Sequence, residues 1–582
     1  MVTTTNTDSV SASSPNSARS LFSPTWCTQD STAHIGPWAW TPIIAAPAHF
    51  SYDNWLATMH AWIEHPERNS STILRGEIWA SETCSCHDVH NELDDDGDAL
   101  HTTLQSRCIR RLLPRRTRLD RGMLQECAIY TCASNHGIVV YTTLRPSDPA
   151  DERPNPNFFS QATSDDLCAE AADVPYYHPA VRGVAFHYIP ARNSENLSEN
   201  ASVTSQGTIR IDFALFPSEP HPISPSSRLG RTALSLLRMM HQHAYGRATL
   251  YVKRVIHDML VPRDAYQDLY VTLRSKYAHT LIDTWAEVTD PRKHVFEDLG
   301  IAAWLILLWR DMFPARDPAS EPQHQLRCAD VWGQPPGGFV DIGCGNGLLA
   351  HILTCEGYMG SGWDARARKS WHNYKQQGTV LLEARLELPH SQQLPATPWI
   401  PAGAFLIGNH ADELTPWIPF LAASTPACSG FVNIPCCAWT LEGSPFTPTN
   451  QSLSENDIAS WFRVPPASLP KPSKPTAPVN APSSSYSWTD RLAHSRWFIE
   501  RTIMPSDCHN TSHKTSHSKH LAYYVYLVAL HLQAGWLFES EALRIPSTKN
   551  WAMVGRYPMS EGDRGSGTRC CTEAYSSSLG TC

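Results

Sequence analysis

The amino-acid sequence predicts an α/β protein, with a doubly wound, mostly parallel sheet in its C-terminal half and an α+β region before it. In the second half, short apolar runs alternate with helical stretches, and the first of these runs ends in a cluster of glycines. In the first half, strand-like and helical patterns stand in separate blocks and show no repeat.

The length of the chain predicts more than one domain. Its 582 residues exceed the roughly 100–200 residues of a typical domain. The Ser/Thr/Asn-rich start predicts disorder, and a Pro/Ser-rich stretch predicts an insertion that does not pack. The predicted divisions are a disordered tail at 1–34, an N-terminal region at 35–335, a second domain at 336–556 with its insertion at about 464–490, and a flexible tail at 557–582.

Composition argues against several classes of protein. The start of the chain has neither a basic nor an apolar segment of the secretory type. The apolar stretches at 299–309 and 521–532 fall short of the roughly 20 residues of a membrane span, so they predict buried helices of a soluble protein. The 17 cysteines are scattered, which favours free thiols in a reducing compartment. No metal site is predicted, because no second ligand pair at zinc spacing follows Cys84, Cys86, His87 and His90.

The N-terminal region contains both strand and helix signals. Residues 137–142 and 208–213 are β-branched and alternate, which is typical of strands. Residues 228–277 have apolar positions at helical spacing, interrupted by Gly246 and Pro262. Asp290-Pro291 is a helix-start signal before the apolar stretch at 295–309.

A glycine-rich loop opens the second domain. It has the form D-x-G-x-G-x-G, between a predicted strand at 339–342 and a predicted helix at 348–356. A dinucleotide site shares the glycines, because pyrophosphate needs a bare helix N-terminus. Asp341, directly before the glycines, would repel a pyrophosphate and suits the ammonium group of S-adenosylmethionine instead. Asp364, after the next strand, is placed to accept hydrogen bonds from a ribose diol. This favours S-adenosylmethionine over NAD.

A polar run follows the predicted strand at 405–407. Ligands of doubly wound sheets bind outside the carboxyl ends of the strands, where this run emerges. A helix N-cap with acidic first-turn residues also explains Asp412 and Glu413, but explains Asn409-His410 less well. The cysteines of Pro435-Cys436-Cys437 line the same pocket or are small core residues. The predicted cofactor-binding residues are Asp341, Gly343, Cys344, Gly345, Asn346, Gly347, Asp364 and Asn409.

Arginine is concentrated in residues 101–121. Guanidinium groups suit phosphate oxygens, although the net charge of −9 argues against simple electrostatic coating of nucleic acid. A solvated face that pairs with the acidic run at 94–98 is an equal alternative. Tyr176, Tyr177 and His178 offer stacking surfaces for RNA bases, with core packing as the alternative. The arginines are Arg107, Arg110, Arg111, Arg115, Arg116, Arg118 and Arg121.

The strings FVDIGCGNGLLAHIL, GWDARARKSW, IGNHADELTPWIP, IPCC and RIPSTKNW resemble the tRNA (uracil-2′-O-)-methyltransferase family. Further strings, including YYHPAVRG, YVKRVIHDMLV and WAEVTDPRKHVFEDLGIAAWLILLW, extend the resemblance over most of residues 36–556. The resemblance implies a Rossmann-like class I methyltransferase domain and S-adenosylmethionine as methyl donor. It also implies a cytoplasmic enzyme that methylates the ribose of uridine 44 in serine tRNA. The arginines and the stacking side chains before residue 335 predict that the N-terminal region binds the tRNA.

Methyl transfer to a 2′-hydroxyl needs a proton acceptor near that hydroxyl. Asp412 and His410 are the candidate acceptors, and Lys549 is a candidate to lower the proton affinity of the hydroxyl or hold the adjacent phosphate. A surface lysine is the alternative for Lys549. Three other functions stay open: a base- or protein-directed methyltransferase of the same fold, a non-catalytic tRNA-binding protein with a vestigial cofactor pocket, and an NAD-dependent reductase.

Overall fold

The computed structural model divides the chain into two compact units, Met1–Val252 and Lys253–Cys582. Most of the predicted tails at 1–34 and 557–582 and of the insertion at 464–490 lies outside the residues that the structure describes. The described residues are 21–27, 33–35, 38–83, 89–93, 99–116, 119–132, 136–147, 167–168, 170–191, 205–217, 222–251, 255–315, 327–386, 399–448, 460, 470–475, 487–503 and 519–559.

The first unit is built on a ten-stranded antiparallel sheet. Its strand order is β1-β3-β10-β9-β8-β7-β6-β4, with β2 paired to β3 and β5 paired to β6. The strands are β1 Thr25–Trp26, β2 Ala33–Ile35, β3 Trp38–Ala48, β4 Ile73–Thr83, β5 Val89–Leu93, β6 Ala99–Pro114, β7 Gly122–Cys132, β8 Gly137–Ser147, β9 Gly183–Pro190 and β10 Gly207–Ala214.

Two helices cover one face of this sheet. Helix α1 is Tyr52–Glu64 and helix α2 is Arg228–Ala248; the hydroxyls of Ser51 and Ser227 cap their N-termini. Apolar side chains of both helices pack with Ile44, Phe186 and other sheet residues in one core. The helix face is contributed by Trp55, Met59, Trp62, Leu229, Ala233, Leu237, Met240 and Ala244. Burial of these large side chains holds the helices on the sheet.

The second unit contains a seven-stranded sheet in the order β13-β12-β11-β14-β15-β17-β16. The pairings from β13 to β15 are parallel, and the two pairings of β17 are antiparallel. The strands are β11 Phe339–Ile342, β12 Gly360–Asp364, β13 Val380–Glu383, β14 Phe405–Asn409, β15 Gly430–Ile434, β16 Glu539–Ala542 and β17 Trp551–Gly555. Chain order changes direction on either side of β11, so the ends of β11 and β14 open a crevice for a ligand.

The helices of this unit include α4, which is apolar on nearly all sides. Asp290 caps α4 through the backbone N–H of Arg292, as the sequence predicts. The part of the chain that the structure describes contains no helix with the length and apolarity needed to cross a bilayer. The helices are α3 Arg263–Asp283, α4 Pro291–Met312, α5 Cys328–Val331, α6 Leu348–Cys355, α7 Ser370–Gln376, α8 Ile418–Ser424, α9 Trp488–Ile503 and α10 Lys519–Gln533.

The observed division differs from the boundary expected near residue 335. Helices α3 and α4 belong to the second unit, because their apolar side chains share one core with the seven-stranded sheet. Leu299 and Trp304 of α4 are buried in that core beside Phe339 and Phe405. A chain break at residue 335 would therefore remove a wall of the second core rather than separate two domains.

Candidate functional site

The glycine-rich loop joins β11 to α6 and has left-handed backbone at all three glycines. Gly343, Gly345 and Gly347 have φ of 75°, 53° and 76°, a region that L side chains enter only at a cost. A Cβ on Gly347 would lie 2.8 Å from Leu381 Cδ1, whereas a Cβ on Gly345 would meet nothing within 4 Å. Gly347 is therefore required for packing, and Gly345 faces open space that a ligand can occupy.

The loop is held in place from helix α7. Trp371 Nε1 donates to the carbonyl of Gly345 at 2.9 Å, and the Ser370 hydroxyl donates to the carbonyl of Asn346 at 2.7 Å. Asn346 itself accepts from the backbone N–H of Leu348 at 2.9 Å and so caps the start of α6. These bonds fix the loop before any ligand arrives.

Asp341 is buried at the end of β11, and its Oδ1 has no hydrogen-bond partner among the described residues. Burial, with the charges of Asp298 and Asp364, raises the pKa of Asp341 well above its ordinary value. Burial and the charge of Glu297 likewise raise the pKa of Asp298 to about 7. These carboxyl groups make a site that a positively charged ligand would stabilise.

Asp364 ends β12 and faces the glycine loop. Its Oδ2 accepts from the backbone N–H of Gly345 at 2.9 Å, and its Oδ1 accepts from that of Arg366 at 3.3 Å. A carboxylate has about four acceptor positions. Asp364 therefore keeps acceptor capacity for the hydroxyls of a ligand while it holds the loop.

Asn409 ends β14, next to β11 in the sheet. Its Nδ2 donates to Asp298 Oδ1 at 3.4 Å, and its Oδ1 is buried without a partner among the described residues. Cys344 is largely buried in the glycine loop, and burial raises the pKa of its thiol. The thiol is accordingly protonated at neutral pH and acts as a small packing group.

His410 follows β14 with φ of 53° and forms a pair with Glu297 of α4. The distance from His410 Nε2 to Glu297 Oε1 is 3.1 Å. Burial disfavours ionisation of Glu297, but hydrogen bonds from His410 and Ser547 hold its pKa below the ordinary value. The ionised carboxylate only accepts, so Nε2 carries the proton and Nδ1 keeps a lone pair. That Nδ1 has no partner among the described residues.

Asp412 is exposed and has a left-handed backbone, with φ of 45°. It begins the 3₁₀ segment Asp412–Trp417, whose first turn is acidic as the alternative interpretation expects, but the N-cap residue is Ala411 and no side chain caps the segment. Its Oδ1 accepts from Cys436 Sγ at 3.3 Å, and Cys437 Sγ lies 3.5 Å from Cys436 Sγ. The ligand atoms of these three residues lie within 4.8 Å of one another and could hold a metal ion. Cys84, Cys86 and His87, considered for a metal above, lie outside the described residues.

Lys549 lies in the segment between β16 and β17. Its Nζ contacts the ring of His520, and no bond in the described part of the chain joins it to His410 or Asp412. Ser547, two residues earlier, is the residue of this segment that reaches the site, through Glu297. The segment thus borders the site, with Lys549 at its edge.

The sequence analysis missed Glu297 and Asp298. The two acids interrupt an otherwise apolar helix, and that interruption was the available signal. Helical spacing alone does not say which side of α4 meets the end of the sheet, so these acids could not be assigned to the site before the fold was known.

The predicted arginine cluster does not form one basic face. Strand β6 turns successive side chains to opposite sides, so Arg110 is buried while Arg107 pairs with Glu82 at 3.0 Å. Arg111 lies over the ring of Trp79. Arg115, Arg116 and Arg121 are exposed, whereas Arg118 and the acidic run at 94–98 lie outside the described residues.

Comparison with known proteins gives two matching family models. Residues 20–254 match the TRM44-like, N-terminal bet v1-like domain, and residues 260–388 match a predicted AdoMet-dependent methyltransferase. The two matches meet near the division between the compact units. No solved structure matches the chain.

Curated relatives are similar over most of their length. The tRNA (uracil-O(2)-)-methyltransferase of Neurospora crassa is 33% identical, covering 89% of this chain and 86% of the relative. That of Schizosaccharomyces pombe is 33% identical over 89% and 85%, and that of Yarrowia lipolytica is 28% identical over 92% and 93%. The chain belongs to the tRNA (uracil-O(2)-)-methyltransferase family.

Membership of this family makes the chain an S-adenosylmethionine-dependent methyltransferase with a bet v1-like N-terminal domain. The residues of the glycine loop fit that cofactor. Asp341 offers an unpartnered buried oxygen to a cationic group, and Gly345 leaves room where a side chain would stand.

Proposed function

We propose that this chain transfers a methyl group from S-adenosylmethionine to the ribose 2′-hydroxyl of uridine 44 in serine tRNA. The observation that carries the proposal is the His410–Glu297 pair beside the acid-lined glycine loop. It supplies a proton acceptor next to a site suited to a sulfonium. The named activity of the relatives supports a uridine in tRNA as the acceptor.

The cofactor is held, on this proposal, by the ends of three neighbouring strands. Asp341 of β11 receives the ammonium group, Asp364 of β12 receives the ribose hydroxyls, and Asn409 of β14 offers its unpartnered Oδ1. Gly343, Cys344, Gly345, Asn346 and Gly347 form the loop against which the cofactor lies. The strand order supports a Rossmann-like class I methyltransferase domain, and the free thiols support a cytoplasmic site of action.

When bound, S-adenosylmethionine supplies an electrophilic methyl group on a sulfonium. With its ring neutral, His410 would accept the proton of the 2′-hydroxyl on Nδ1, which leaves that oxygen to take up the methyl group. Glu297 keeps His410 in the tautomer with a free Nδ1 and stabilises the imidazolium that results. Asp412, whose carboxylate is exposed, is the second candidate acceptor. Lys549, whose Nζ contacts the ring of His520, is the candidate to hold the phosphate next to the acceptor.

The experiment tests whether the methyl group is transferred to the 2′-oxygen of uridine 44. Serine tRNA is assembled from two synthetic halves with either uridine or 2′-deoxyuridine at position 44, and each is incubated with the full chain and methyl-labelled cofactor. We expect label in 2′-O-methyluridine with the ribose substrate and none with the deoxy substrate, because only the acceptor oxygen differs.

The matched control is the same tRNA with 2′-deoxyuridine at a distant position, which should be methylated normally. Label in a methylated base from the deoxy substrate would favour the base-directed alternative. Cofactor binding without label in any tRNA would favour the non-catalytic alternative. Either result contradicts the proposal.

A further inference from the structure

The first unit contains a cavity of about 600 Å³ between its sheet and helix α2. Sites for one small organic ligand have volumes of about 300–1,000 Å³. Strands β6 to β9, the segment at 67–73 and the segment at 176–179 form its walls with α2. The residues of the predicted methyl-transfer site all lie in the second unit, so that site does not use this cavity.

A buried arginine forms part of the wall. Arg110 is 2% exposed, and its guanidinium donates to Gln125 Oε1 and to the carbonyls of Trp62 and Ile63. It also lies 4.6 Å from the ring centroid of Tyr141. All these partners are neutral, and no carboxylate pairs with Arg110 in the part of the chain that the structure describes. A buried charge without a counter-charge is costly, so an anionic ligand would stabilise this wall.

His178 beside it adds no charge. Burial lowers the pKa of His178 to about 4, so the ring is neutral at physiological pH. Its Nδ1 donates to the carbonyl of Pro179 at 2.8 Å, and its Nε2 therefore accepts from Gln125 Nε2 at 2.9 Å. Gln125 is thereby fixed with its oxygen toward Arg110, which keeps the guanidinium in place.

The mouth of the cavity has exposed cations and an exposed ring. Arg68, Arg228 and Arg231 line the cavity and are exposed, and none of them forms an ion pair with an acid among the described residues. Tyr176 is 67% exposed, and the Arg228 guanidinium lies 4.1 Å from its ring centroid. Glu67 is the acidic residue of the lining, against four arginines.

We infer that this cavity binds a nucleotide unit of the tRNA, with its two flanking backbone phosphates on Arg228 and Arg231 and its base stacked on Tyr176. The inference rests on the proposed function. Exposed aromatic rings and unpaired arginines are the groups that hold unstacked RNA bases and their phosphates. Several exposed arginines at the mouth favour a polymer over a free nucleotide, because an RNA chain carries further phosphates beyond the nucleotide in the cavity.

The test is tRNA binding by the full chain over a range of salt concentrations. The double variant Arg228→Gln/Arg231→Gln and the variant Tyr176→Ala are compared with Arg107→Gln, which changes an arginine of the same unit outside the cavity. We expect the double variant to raise the Kd for tRNA at least tenfold. The slope of log affinity against log salt should become shallower by about 1.4–1.8, since each lost phosphate contact removes about 0.7–0.9.

Tyr176→Ala should weaken binding about fivefold to a hundredfold at unchanged salt slope, since it removes stacking and no charge. All variants should keep the Kd for S-adenosylmethionine and the unfolding midpoint of the parent chain, which shows that they are folded. The inference is overturned if the double variant matches Arg107→Gln in both Kd and slope.

A last experiment tests whether the cavity binds a free mononucleotide instead of tRNA. Uridine 5′-monophosphate is titrated into the parent chain and the double variant. Binding of the mononucleotide that depends on Arg228 and Arg231, together with unchanged tRNA binding, overturns the inference in favour of a free nucleotide. The readout needs no methyl transfer, so loss of tRNA binding by the double variant supports the inference even if uridine 44 proves not to be the acceptor.

Discussion

The two units hold poorly compensated ionisable groups of opposite type, an arginine in the first and carboxyl groups in the second. In the first unit, Arg110 is surrounded by neutral groups on the wall of a cavity. In the second, Asp341 is buried near the end of β11 beside the half-buried Asp298 of α4, and the described contacts give Asp341 Oδ1 no partner. Each arrangement is costly in the empty protein and becomes favourable with a ligand of the opposite charge. The difference teaches that the sign of the uncompensated charge indicates the ligand: phosphate in one unit, a sulfonium in the other.

The largest effect should come from the proton acceptor of the second unit. His410→Asn should lower the rate of methyl transfer by about 10²–10⁴-fold, because the general base is lost. Asparagine tolerates the left-handed backbone at this position. Single-turnover methylation measures the rate, and calorimetry should give an unchanged Kd for the cofactor. A larger loss in the matched variant Asp412→Asn than in His410→Asn would transfer the role of base to Asp412.

Substitutions at two glycines of the glycine-rich loop should have different effects, because Gly347 is packed against Leu381 and Gly345 faces open space. Gly347→Ala should lower the free energy of unfolding by about 2–4 kcal/mol, from left-handed backbone strain and overlap with Leu381. Gly345→Ala carries only the backbone strain of about 1–2 kcal/mol, but should weaken cofactor binding, since its methyl group enters open space. Urea unfolding and cofactor titration measure the two quantities. Equal losses of cofactor affinity after correction for stability would show that Gly345 does not face the ligand.

The buried carboxyl groups should make cofactor affinity depend on pH. Asp298 has a pKa of about 7, so it is neutral below pH 7 and charged above it. Affinity for S-adenosylmethionine should therefore rise about fivefold between pH 6 and pH 8, if the sulfonium lowers this pKa by about one unit. S-adenosylhomocysteine lacks the sulfonium charge and should show a smaller rise. Asp298→Asn should make the pH dependence of affinity the same for the two ligands. If the two ligands still differ in this variant, another group causes the pH dependence.

Stability of the ligand-free protein should change with pH in the opposite direction. The folded protein holds the proton of Asp298 more tightly than the unfolded chain does, where the ordinary value is 3.8. The contribution of this group is thus greatest at low pH and is lost as pH rises from about 4 to about 7. The unfolding midpoint of the parent chain relative to Asp298→Asn should fall over that range. A constant difference would contradict the raised pKa.

The smallest effect should come from an exposed ion pair. Arg107 and Glu82 are partly exposed, and pairs of this kind contribute about 0–1 kcal/mol. Arg107→Gln should therefore change the unfolding midpoint little and leave tRNA affinity unchanged. A strong loss of tRNA affinity would show that the RNA also contacts the protein outside the cavity mouth. It would weaken the distinction between arginines that pair with an acid and arginines that do not.

The sequence predicted the site of the second unit better than the surface of the first. The glycine loop and Asp364 follow short strands in sequence, so local spacing already places them at one edge of the sheet. Strand β6 was not predicted, and its alternation divides the arginines between a buried and an exposed side. Tyr177 is buried and Tyr176 is exposed for the same reason: neighbouring residues face different surroundings. Such assignments depend on contacts distant in sequence, as does the meeting of Glu297 with His410.

The last strand of the second unit lies inside the sheet, since β17 pairs with both β15 and β16. During synthesis, the edge of β15 that pairs with β17 stays unpaired until residue 555 has left the ribosome. At about 5–20 residues per second, the delay is on the order of ten seconds. Ser547 and Lys549 precede β17 directly, so the nascent chain completes the proposed site only when this segment has been made. Release of a chain ended before β17 would leave an unpaired strand edge open to aggregation.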